Sequence, residues 1–359
     1  MMTMTATKGI ALFLFLTTAA ASGIAALPEL MKGADGREAK TVADWEGFRR
    51  SAVAETILPV EYGRLPAVPK KVEVAEIGRT QAGQKYLPWL PGGNRRQLKV
   101  WCDMDGEPVT FCLQVWGPAG RNRTKHPLLI EGDGCWSCLS REIIAAAVKR
   151  GWVVAQFNRC EVARDNNSAT ERALLKWAWT YHRAIDALLQ AEPRVDPACI
   201  AISGHSRGGK TVLLAGATDA RIAAVGDNCS GQGGSGPCRR IPEPMGESIK
   251  NITGNFPYWF TPTWHTWAGR ETELPFDQHF LLSLIAPRKL FTRCAKDDTW
   301  ANPPGAKLIV EAARPAWELY GKGGNIRYSL REGGHAHTLE DFMEFLDFIE
   351  EPSAKKEIK

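Results

Sequence analysis

The feature that most constrains this fold is a regular alternation between short apolar runs and longer helical segments. The runs PLLIEGDG, WVVAQFN, ACIAISG and IAAVGD are separated by the segments LSREIIAAAVKRG, ATERALLKWAWTYHRAIDALLQAE and RGGKTVLLAGATD. The pattern resumes later with LLSLIAP, RKLFTRCAK, the helical GAKLIVEAARPAWELYG, IRYSLREGG and the helical LEDFMEFLDFIEE. Strands that alternate with helices of this length pair in parallel through right-handed crossovers. The sequence therefore predicts an α/β fold in which a mostly parallel, doubly wound sheet carries helices on both faces.

Three segments stand outside this alternation. The leading segment, with a helix predicted from residue 42 to about residue 58, is expected to wrap around the core. The runs RQLKVWCDMDG and EPVTFCLQVWGP are typical of two strands joined by an Asp-Gly hairpin turn. Residues 231–270 are rich in Gly and Pro and contain the aromatic cluster NFPYWFTPTWHTWAG, which indicates an insertion over one end of the sheet.

The N-terminus has the pattern of a secretory signal peptide. Lys8 precedes an apolar stretch at residues 10–16, and small residues follow it. That stretch is too short for the roughly 20 residues that span a bilayer, and no later segment is long and uncharged enough. We therefore expect a signal peptide at 1–26, a single domain at 27–359 and a secreted or periplasmic location, with a retained membrane anchor as the alternative.

The charge balance argues against one class of partner. Lys and Arg total 45 against 40 for Asp and Glu, and the only basic run is the C-terminal AKKEIK. A nucleic-acid-binding protein concentrates basic residues on one face or along one helix. We therefore expect no nucleic-acid partner.

The segment ISGHSRGGKTVLLAGA contains the pattern G-x-S-x-G, with Ser206 between Gly204 and Gly208. It lies where an apolar run gives way to a helical segment. This is the position of a nucleophile elbow, a sharp turn whose strained centre exposes the serine hydroxyl. The following helix would present N–H groups and a positive dipole end to a developing oxyanion. The alternative is a serine that only caps the helix, but suitable catalytic partners follow, so the sequence favours a nucleophile.

A serine hydrolase of this type needs an acid and then a histidine further along the chain. The loop AKDDTWANPPG offers Asp297 and Asp298, and REGGHAHTLEDF offers His335 and His337 before the last helix. We predict His335, because the two glycines before it let the backbone approach the nucleophile turn closely. Asp297 and His337 stay open as alternatives to Asp298 and His335.

The chain has nine cysteines, and their odd number leaves at least one thiol free. Several lie within apolar runs, which favours small buried side chains over a full disulfide framework. Cys135 and Cys138 form a C-x-x-C pattern where a thioredoxin-like redox pair would lie, but the chain is much too long for a thioredoxin. The same loop, with Gly132 and Gly134, suits an oxyanion N–H donor better. No metal-ligand spacing and no nucleotide-binding glycine motif is present, so we expect no metal and no cofactor.

The segments around these motifs resemble the glucuronoyl esterases, carbohydrate esterase family fifteen. LPELMKGADGREAKTVADWEGFRR is similar to the family's leading segment, and GHSRGGKTVLLAGATDARIAAV to its nucleophile elbow. ELPFDQHFLLSLIAPRKLF and DDTWANPPGA are similar to its later blocks, so the resemblance covers about residues 27–350. The combination of S-R-x-x-K with L-P-F-D-Q-H is far more specific than G-x-S-x-G.

The resemblance implies an α/β-hydrolase fold and a secreted serine esterase that works through an acyl-enzyme. Its substrates would be 4-O-methyl-glucuronoyl esters on glucuronoxylan or a related acidic-sugar polymer, as in lignin–carbohydrate ester linkages. Ser206 would be the nucleophile and His335 the general base. Arg207 would stabilise the oxyanion, Lys210 would hydrogen-bond sugar hydroxyls and Trp300 would line the sugar site. For Arg207 and Lys210 the alternative is a solvated helix face.

Two further groups of residues are expected at this site. The oxyanion would accept hydrogen bonds from backbone N–H groups of the elbow and of residues 133–135. Trp259, Trp264 and Trp267 of the insertion would form an aromatic rim for the sugar, with a packed lid core as the alternative.

The sequence departs from the fungal members at two places. They have a glutamate after the strand that follows the nucleophile helix, where this chain has Cys229. The resemblance therefore assigns the acid to Asp298, unless Asp227 reaches the histidine. Fungal members also pair a cysteine beside the nucleophile with one beside the histidine. His205 and Thr338 stand at those positions here, which resembles the bacterial branch.

Two other functions stay open at this point. One is an acetylxylan or feruloyl-type esterase acting on plant polysaccharide. The other is a catalytically inactive, carbohydrate-binding relative that keeps the fold.

Overall fold

The computed structural model describes residues 26–81, 87–120, 124–166, 172–239 and 246–351. The predicted signal peptide at 1–26 lies, except for Ala26, outside these residues. Within them one sheet contains nine strands: β1 Glu73–Thr80, β2 Gly93–Met104, β3 Glu107–Pro118, β4 His126–Glu131, β5 Val153–Phe157, β6 Val195–His205, β7 Ala224–Asn228, β8 Lys289–Ala295 and β9 Ile326–Arg331. Their order across the sheet is β1-β2-β3-β5-β4-β6-β7-β8-β9.

The sheet has an antiparallel edge and a parallel body. β2 pairs antiparallel with β1 and β3, and β3 pairs antiparallel with β5. From β5 to β9 every neighbouring pair is parallel. Asp105 and Gly106 join β2 to β3 and both have positive φ, as the two-residue turns favoured in hairpins require. The predicted Asp-Gly hairpin is confirmed.

Strand β1 is absent from the strands that the sequence predicts. It forms the edge of the sheet, pairs on one side only and contains Glu73, Glu76 and Arg79. Charged side chains are common on edge strands because they discourage pairing with other chains. They also weaken the apolar pattern by which a strand is recognised.

Helices cover both faces of the sheet. They are α1 Val42–Asp44, α2 Arg50–Glu61, α3 Arg141–Lys149, α4 Ala173–Ala191, α5 Arg207–Thr218, α6 Ile249–Asn255, α7 Pro262–His265, α8 His279–Ser283, α9 Pro303–Ala313, α10 Pro315–Glu318 and α11 Leu339–Glu350. Leu129 of β4 packs in the same cluster as α3 and α11, whereas Leu128 and Ile130 join the cluster that includes α4 and α5. Since successive strand residues point to opposite faces, both faces of the parallel body are buried. The predicted mostly parallel, doubly wound arrangement is confirmed.

The leading segment contacts helix α8. His279 Nε2 lies 3.0 Å from the carbonyl oxygen of Pro28, and Arg49 Nε donates to the carbonyl of Leu30 at 2.5 Å. The helix predicted from residue 42 is present as α1, a π-helical turn at Trp45–Arg49 and α2. The run LLSLIAP falls in α8 and the turn after it, so its place among the short strand-like runs was wrong.

The insertion at 231–270, apart from residues 240–245, lies within the described residues and contains α6 and α7. It meets the end of α2, where Tyr62 Oη donates to the carbonyl of Gly233 at 3.0 Å and Thr261 N–H donates to the carbonyl of Glu61 at 3.0 Å. Among the helices of the described ranges, none combines the length and the apolar character needed to cross a bilayer.

Candidate active site

Ser206 lies at the sharp turn between β6 and α5. Its backbone has φ 57° and ψ −117°, a strained conformation for a residue with a side chain. Gly204 and Gly208 must lack side chains because neighbouring atoms lie too close to their Cα atoms. A Cβ on Gly204 would lie 2.3 Å from the carbonyl oxygen of Gly208, and a Cβ on Gly208 would lie 1.9 Å from Oδ2 of Asp133. The Ser206 side chain makes no capping hydrogen bond to α5, so the alternative of a purely capping serine is wrong.

His335 and Asp298 lie together beside this turn. Asp298 follows β8 and His335 follows β9, and His335 Nδ1 is 2.6 Å from Oδ2 of Asp298. Asp298 is 6% exposed and also accepts the N–H of Ala301 at 3.3 Å. Burial disfavours its ionised form, but the hydrogen bonds and the positive charge of His335 outweigh burial and lower the pKa of Asp298. Nε2 is the ring nitrogen of His335 that this contact leaves open.

The alternative residues lie elsewhere. Asp297 is exposed to solvent. Asp227 is buried on β7 against α5, and burial raises its pKa to about 6. His337 is half-buried and stacks on Phe342 at a centroid distance of 3.9 Å, and desolvation lowers its pKa to about 3. The structure therefore brings Asp298 and His335 to the side of Ser206, while their catalytic roles stay predictions.

His205 is a site residue whose role the sequence did not reveal. Its ring packs against His335 at 4.4 Å between centroids, and its Nδ1 lies 2.6 Å from Oδ1 of Asn228. Burial, followed by the charge of His335, lowers the pKa of His205 to about 4. A neutral, hydrogen-bonded ring thus supports His335. The only sequence signal was its place directly before Ser206.

Arg207 is held by a network of ionic and hydrogen bonds centred on Asp165. Its Nη1 lies 2.7 Å from Oδ2 of Asp165. The same carboxylate accepts Tyr258 Oη at 3.0 Å and Trp259 Nε1 at 3.1 Å, and pairs with Arg159 at 3.2 Å. Burial opposes the ionisation of Asp165, but Arg207 and these donors lower its pKa overall. Sequence reasoning missed Asp165, whose only signal was a position shortly after β5.

Residues 132–135, here called the oxyanion loop after the role predicted for them, follow β4, and Asp133 lines a cavity together with Ser206. The N–H of Asp133 donates to Oε1 of Glu131 at 2.8 Å. Asp133 is therefore engaged elsewhere. The antiparallel bridge between Asp133 and Asn158 directs the N–H of Gly134 at Phe157, so the donors predicted from this loop reduce to Cys135. Trp136 follows this loop directly. The guanidinium carbon of Arg207 lies over its ring, 5.4 Å from the ring centroid.

Two cavities meet at Ser206, Arg207 and His335. The first, here called the polar cavity, has a volume of about 330 Å³ and is also lined by Lys210, Glu247, Phe256, Trp259, Asp298 and Trp300. The second, here called the aromatic cavity, has a volume of about 340 Å³ and is also lined by Asp133, Trp136, Cys138 and His205. Ser206 is thus open on two sides.

The polar cavity combines buried charge with an exposed aromatic ring. Lys210 is 4% exposed, donates from Nζ to the carbonyl of Ser230 and lies 4.0 Å from Glu247. Burial lowers the pKa of Lys210 and raises that of Glu247, and the carboxyl of Glu247 also contacts the side chain of Trp300. Trp300 is 52% exposed, so its ring is free to contact a ligand. Sequence reasoning missed Glu247, which lies outside every motif that it used.

The aromatic insertion contributes less to this cavity than expected. Trp259 lines it and stacks on Phe256 at 3.9 Å. Trp264 is fully buried about 6 Å from Phe260 and Phe276. Trp267 packs against the same core cluster. A sugar rim at Trp264 was therefore wrong, because this residue belongs to the packed core. Trp267 is partly buried and does not line the polar cavity.

Two clusters of potential metal ligands occur in the described part of the chain: Cys229, Asp298 and His335, and Glu131, Asp133 and Cys138. Their carboxylates are already engaged. Asp298 binds His335, and Glu131 accepts the N–H of Asp133 and the amide of Gln156. Asp133 also pairs with Arg159. Protein contacts account for these groups, and we assign no metal to either cluster.

Comparisons with known proteins identify relatives of this chain. The family described as "Glucuronyl esterase, fungi" matches residues 100–321. Carbohydrate esterase MZ0003 from an unknown prokaryotic organism is 26% identical, and the match covers 90% of this chain and 89% of that protein. The 4-O-methyl-glucuronoyl methylesterase of Hypocrea jecorina is 30% identical over 83% of this chain, which spans 63% of that protein's length.

Solved structures share the fold. A promiscuous CE15 esterase from a marine bacterial metagenome has a TM-score of 0.81 at 24% identity, covering 92% of this chain and 98% of that one. A CE15 glucuronoyl esterase from Caldicellulosiruptor kristjansonii has a TM-score of 0.76 at 26% identity, covering 91% and 90%. The predicted α/β-hydrolase fold is confirmed.

Proposed function

Because the chain belongs to the glucuronoyl esterase family, carbohydrate esterase family 15, we propose that it hydrolyses 4-O-methyl-glucuronoyl esters through an acyl-enzyme on Ser206. One observation carries this proposal. A single cavity is lined by the serine of a strained elbow, by a histidine paired with a carboxylate, and by a buried lysine and an exposed tryptophan. The serine, the histidine and the carboxylate can hydrolyse an ester, and the lysine and the tryptophan can bind a sugar.

The proposed mechanism begins with proton transfer from Ser206 to Nε2 of His335 as the serine oxygen attacks the ester carbonyl. Asp298 holds the imidazole by Nδ1 and stabilises its charged form. His335 then protonates the departing alcohol oxygen. In the second half, His335 takes a proton from water, the resulting hydroxide attacks the acyl-enzyme, and Ser206 regains its proton. The uronic acid is released with its carboxylate free.

The oxyanion is proposed to form beside Arg207. The guanidinium places a fixed positive charge there, and the backbone N–H groups of Arg207 and Cys135 add donors. Asp165 fixes the guanidinium at 2.7 Å, so little reorganisation is needed when charge develops. Asp165 is therefore proposed as a positioning residue.

The sugar is proposed to occupy the polar cavity. Lys210 and Glu247 are buried and charged, and both point into this space, where sugar hydroxyls can hydrogen-bond to them. Trp300 offers a flat apolar ring to the sugar face. Such groups recognise hydroxyls and a ring, which an acetyl group lacks, so the acetyl esterase alternative is disfavoured.

The alcohol is proposed to occupy the aromatic cavity. An ester extends in two directions from the carbonyl carbon that Ser206 attacks, so the acyl group and the alcohol fill different spaces. Trp136 is 61% exposed and forms a wall of this second space. An alcohol with an aromatic ring, as in an ester between lignin and glucuronoxylan, has the size and polarity to pack against it.

The proposal extends to the whole chain. We propose residues 1–26 as a signal peptide and 27–359 as one catalytic domain that acts outside the cytoplasm on glucuronoxylan. The plant polymer is too large to enter a cell, which fits export.

The test uses esters that differ on one side of the scissile bond. Wild type is expected to hydrolyse methyl glucuronate and benzyl glucuronate much faster than acetylated xylan. Trp300→Ala is expected to lower kcat/KM on both glucuronates about 10-fold, because it removes the sugar contact. It should leave the rate on benzyl acetate unchanged. A preference of wild type for acetate would contradict the proposal and favour an acetyl esterase.

A further inference from the structure

The oxyanion loop brings together two cysteines that are distant in sequence. The 3₁₀ turn Gly134–Trp136 adjoins the 3₁₀ turn Arg159–Glu161, which follows β5. The thiols of Cys135 and Cys160 are hydrogen-bonded to each other across this junction. Their sulfur atoms are thus neighbours although 24 residues separate them in the chain.

The backbones beneath these thiols are also in contact. An isolated antiparallel bridge joins Asp133 to Asn158. A Cβ on Gly134 would lie 2.8 Å from the carbonyl oxygen of Phe157. The backbones of the two loops are therefore in direct contact next to these cysteines.

The C-x-x-C pattern suggested a different pair. Cys138 lies with Glu131 and Asp133 instead, and burial raises its pKa to about 12. It is thus a poor partner for exchange. Cys135, by contrast, is exposed to solvent, and its sulfur faces Cys160.

The charges around the pair favour a thiolate on Cys160. The hydrogen bond from Cys135 and the guanidinium of Arg159 lower the pKa of Cys160 to about 6, against the effects of burial and Asp165. The same hydrogen bond raises the pKa of Cys135. Of the two sulfurs, Cys160 is therefore the better nucleophile.

We propose that Cys135 and Cys160 are a disulfide-forming site that fastens the oxyanion loop to the loop after β5. The Cys160 thiolate attacks one sulfur of an external disulfide, such as glutathione disulfide, and displaces one glutathione thiolate. The charge that kept Cys135 protonated is then gone. Cys135 loses its proton to solvent and attacks the Cys160 sulfur, and the second glutathione leaves. Two protein thiols are oxidised, and the two electrons reside on the two released glutathione molecules.

This cross-link would fix parts that the active site depends on. Arg159, beside Cys160, binds both Asp133 of the oxyanion loop and Asp165, which holds Arg207. Fastening Cys135 to Cys160 therefore restrains the oxyanion loop. Because a cross-link restricts the unfolded chain, the oxidised protein should melt roughly 2 to 5 °C above the reduced one.

The experiment identifies the link by mass. Wild type is treated with glutathione disulfide near neutral pH, alkylated and digested with trypsin. Cys135 and Cys138 fall in the peptide 126–141, whereas Cys160 falls in the peptide 160–164. The expected product is these two peptides joined, with fragmentation placing the bond at Cys135 and with dithiothreitol separating them. A link within 126–141, or two fully alkylated peptides after oxidation, would overturn the proposal.

Two variants separate the pair from its neighbour. Cys138→Ser should still form the joined peptides, since it leaves both proposed partners in place. Cys160→Ser should form none and should lose the rise in Tm on oxidation. The proposal fails if Cys160→Ser keeps that rise or if Cys138→Ser abolishes the link. Because these readouts are peptide masses and melting temperatures, they hold whatever ester the protein cleaves.

Discussion

Replacing Asp298 with Asn isolates the role of the proposed triad acid. The amide keeps the size of the side chain and retains an oxygen for the N–H of Ala301, so the turn that carries Trp300 stays in place. It removes the negative charge that lies 2.6 Å from Nδ1 of His335. The change therefore acts on the histidine rather than on the fold.

The magnitude follows from the loss of that charge. Opposite charges about 4 Å apart interact by roughly 4 kcal/mol at an effective dielectric constant of about 20. The His335 side chain is 46% exposed, and solvent screening reduces the figure to about 2 to 3 kcal/mol. At about 1.36 kcal/mol per factor of ten, this corresponds to a fall in kcat/KM of roughly 30- to 150-fold.

The assay is the hydrolysis of benzyl glucuronate by Asp298→Asn and by Asp297→Asn. Asp297 is the adjacent, exposed carboxylate, and its variant should match wild type in rate and in Tm. If Asp298→Asn retained full activity while Asp227→Asn lost it, the acid would be Asp227 and the reasoning would be refuted.

Three further outcomes are expected. Asp165→Asn should lower kcat about 10-fold with little change in KM, because Arg207 stays charged but loses its anchor beside the transition state; an equal rise in KM would instead indicate a role in substrate binding. Trp136→Ala should lower kcat/KM on benzyl glucuronate several-fold and leave methyl glucuronate unaffected, since only the first alcohol reaches the aromatic cavity; equal losses on both esters would contradict that assignment. Asp341→Asn should lower Tm at pH 7 by roughly 5 °C, because it breaks a buried ionic contact with Arg293. Burial opposes ionisation of Asp341, but hydrogen bonds and nearby positive charges lower its folded-state pKa below 3.8. Wild type therefore loses this stabilisation as the pH falls below about 4 and through the folded-state pKa. The difference in Tm between wild type and Asp341→Asn should shrink over the same fall in pH.

The fold was predictable because its parallel body is buried on both faces. Runs such as PLLI and ACIAI are continuously apolar, and the helices between them are long enough for crossovers. The apolar pattern of the sequence was a weaker guide where an element is only partly buried or short. Strand β1 has one neighbour and carries charged side chains, and the run LLSLIAP is apolar enough for a strand but forms a short helix.

The chemical groups of the site were predictable where chain order constrains them. Ser206, Asp298 and His335 each follow a strand of the parallel body, and such strand ends meet at one edge of the sheet. Asp165 and Glu247 act through contacts between loops that are distant in the sequence, so no local pattern marks them. The contact between Cys135 and Cys160 was hidden for the same reason, and the nearer Cys138 suggested the wrong partner.

The account stands on Ser206 as the nucleophile that attacks a glucuronoyl ester. The most direct test is the steady-state rate of benzyl glucuronate hydrolysis by Ser206→Ala beside wild type at equal, folded concentration. The account predicts active wild type and a fall of about 10⁴-fold or more in the variant, since removal of a serine nucleophile leaves only binding and oxyanion contacts. Equal rates in the two proteins, or a wild type that hydrolyses no glucuronoyl ester, would contradict it.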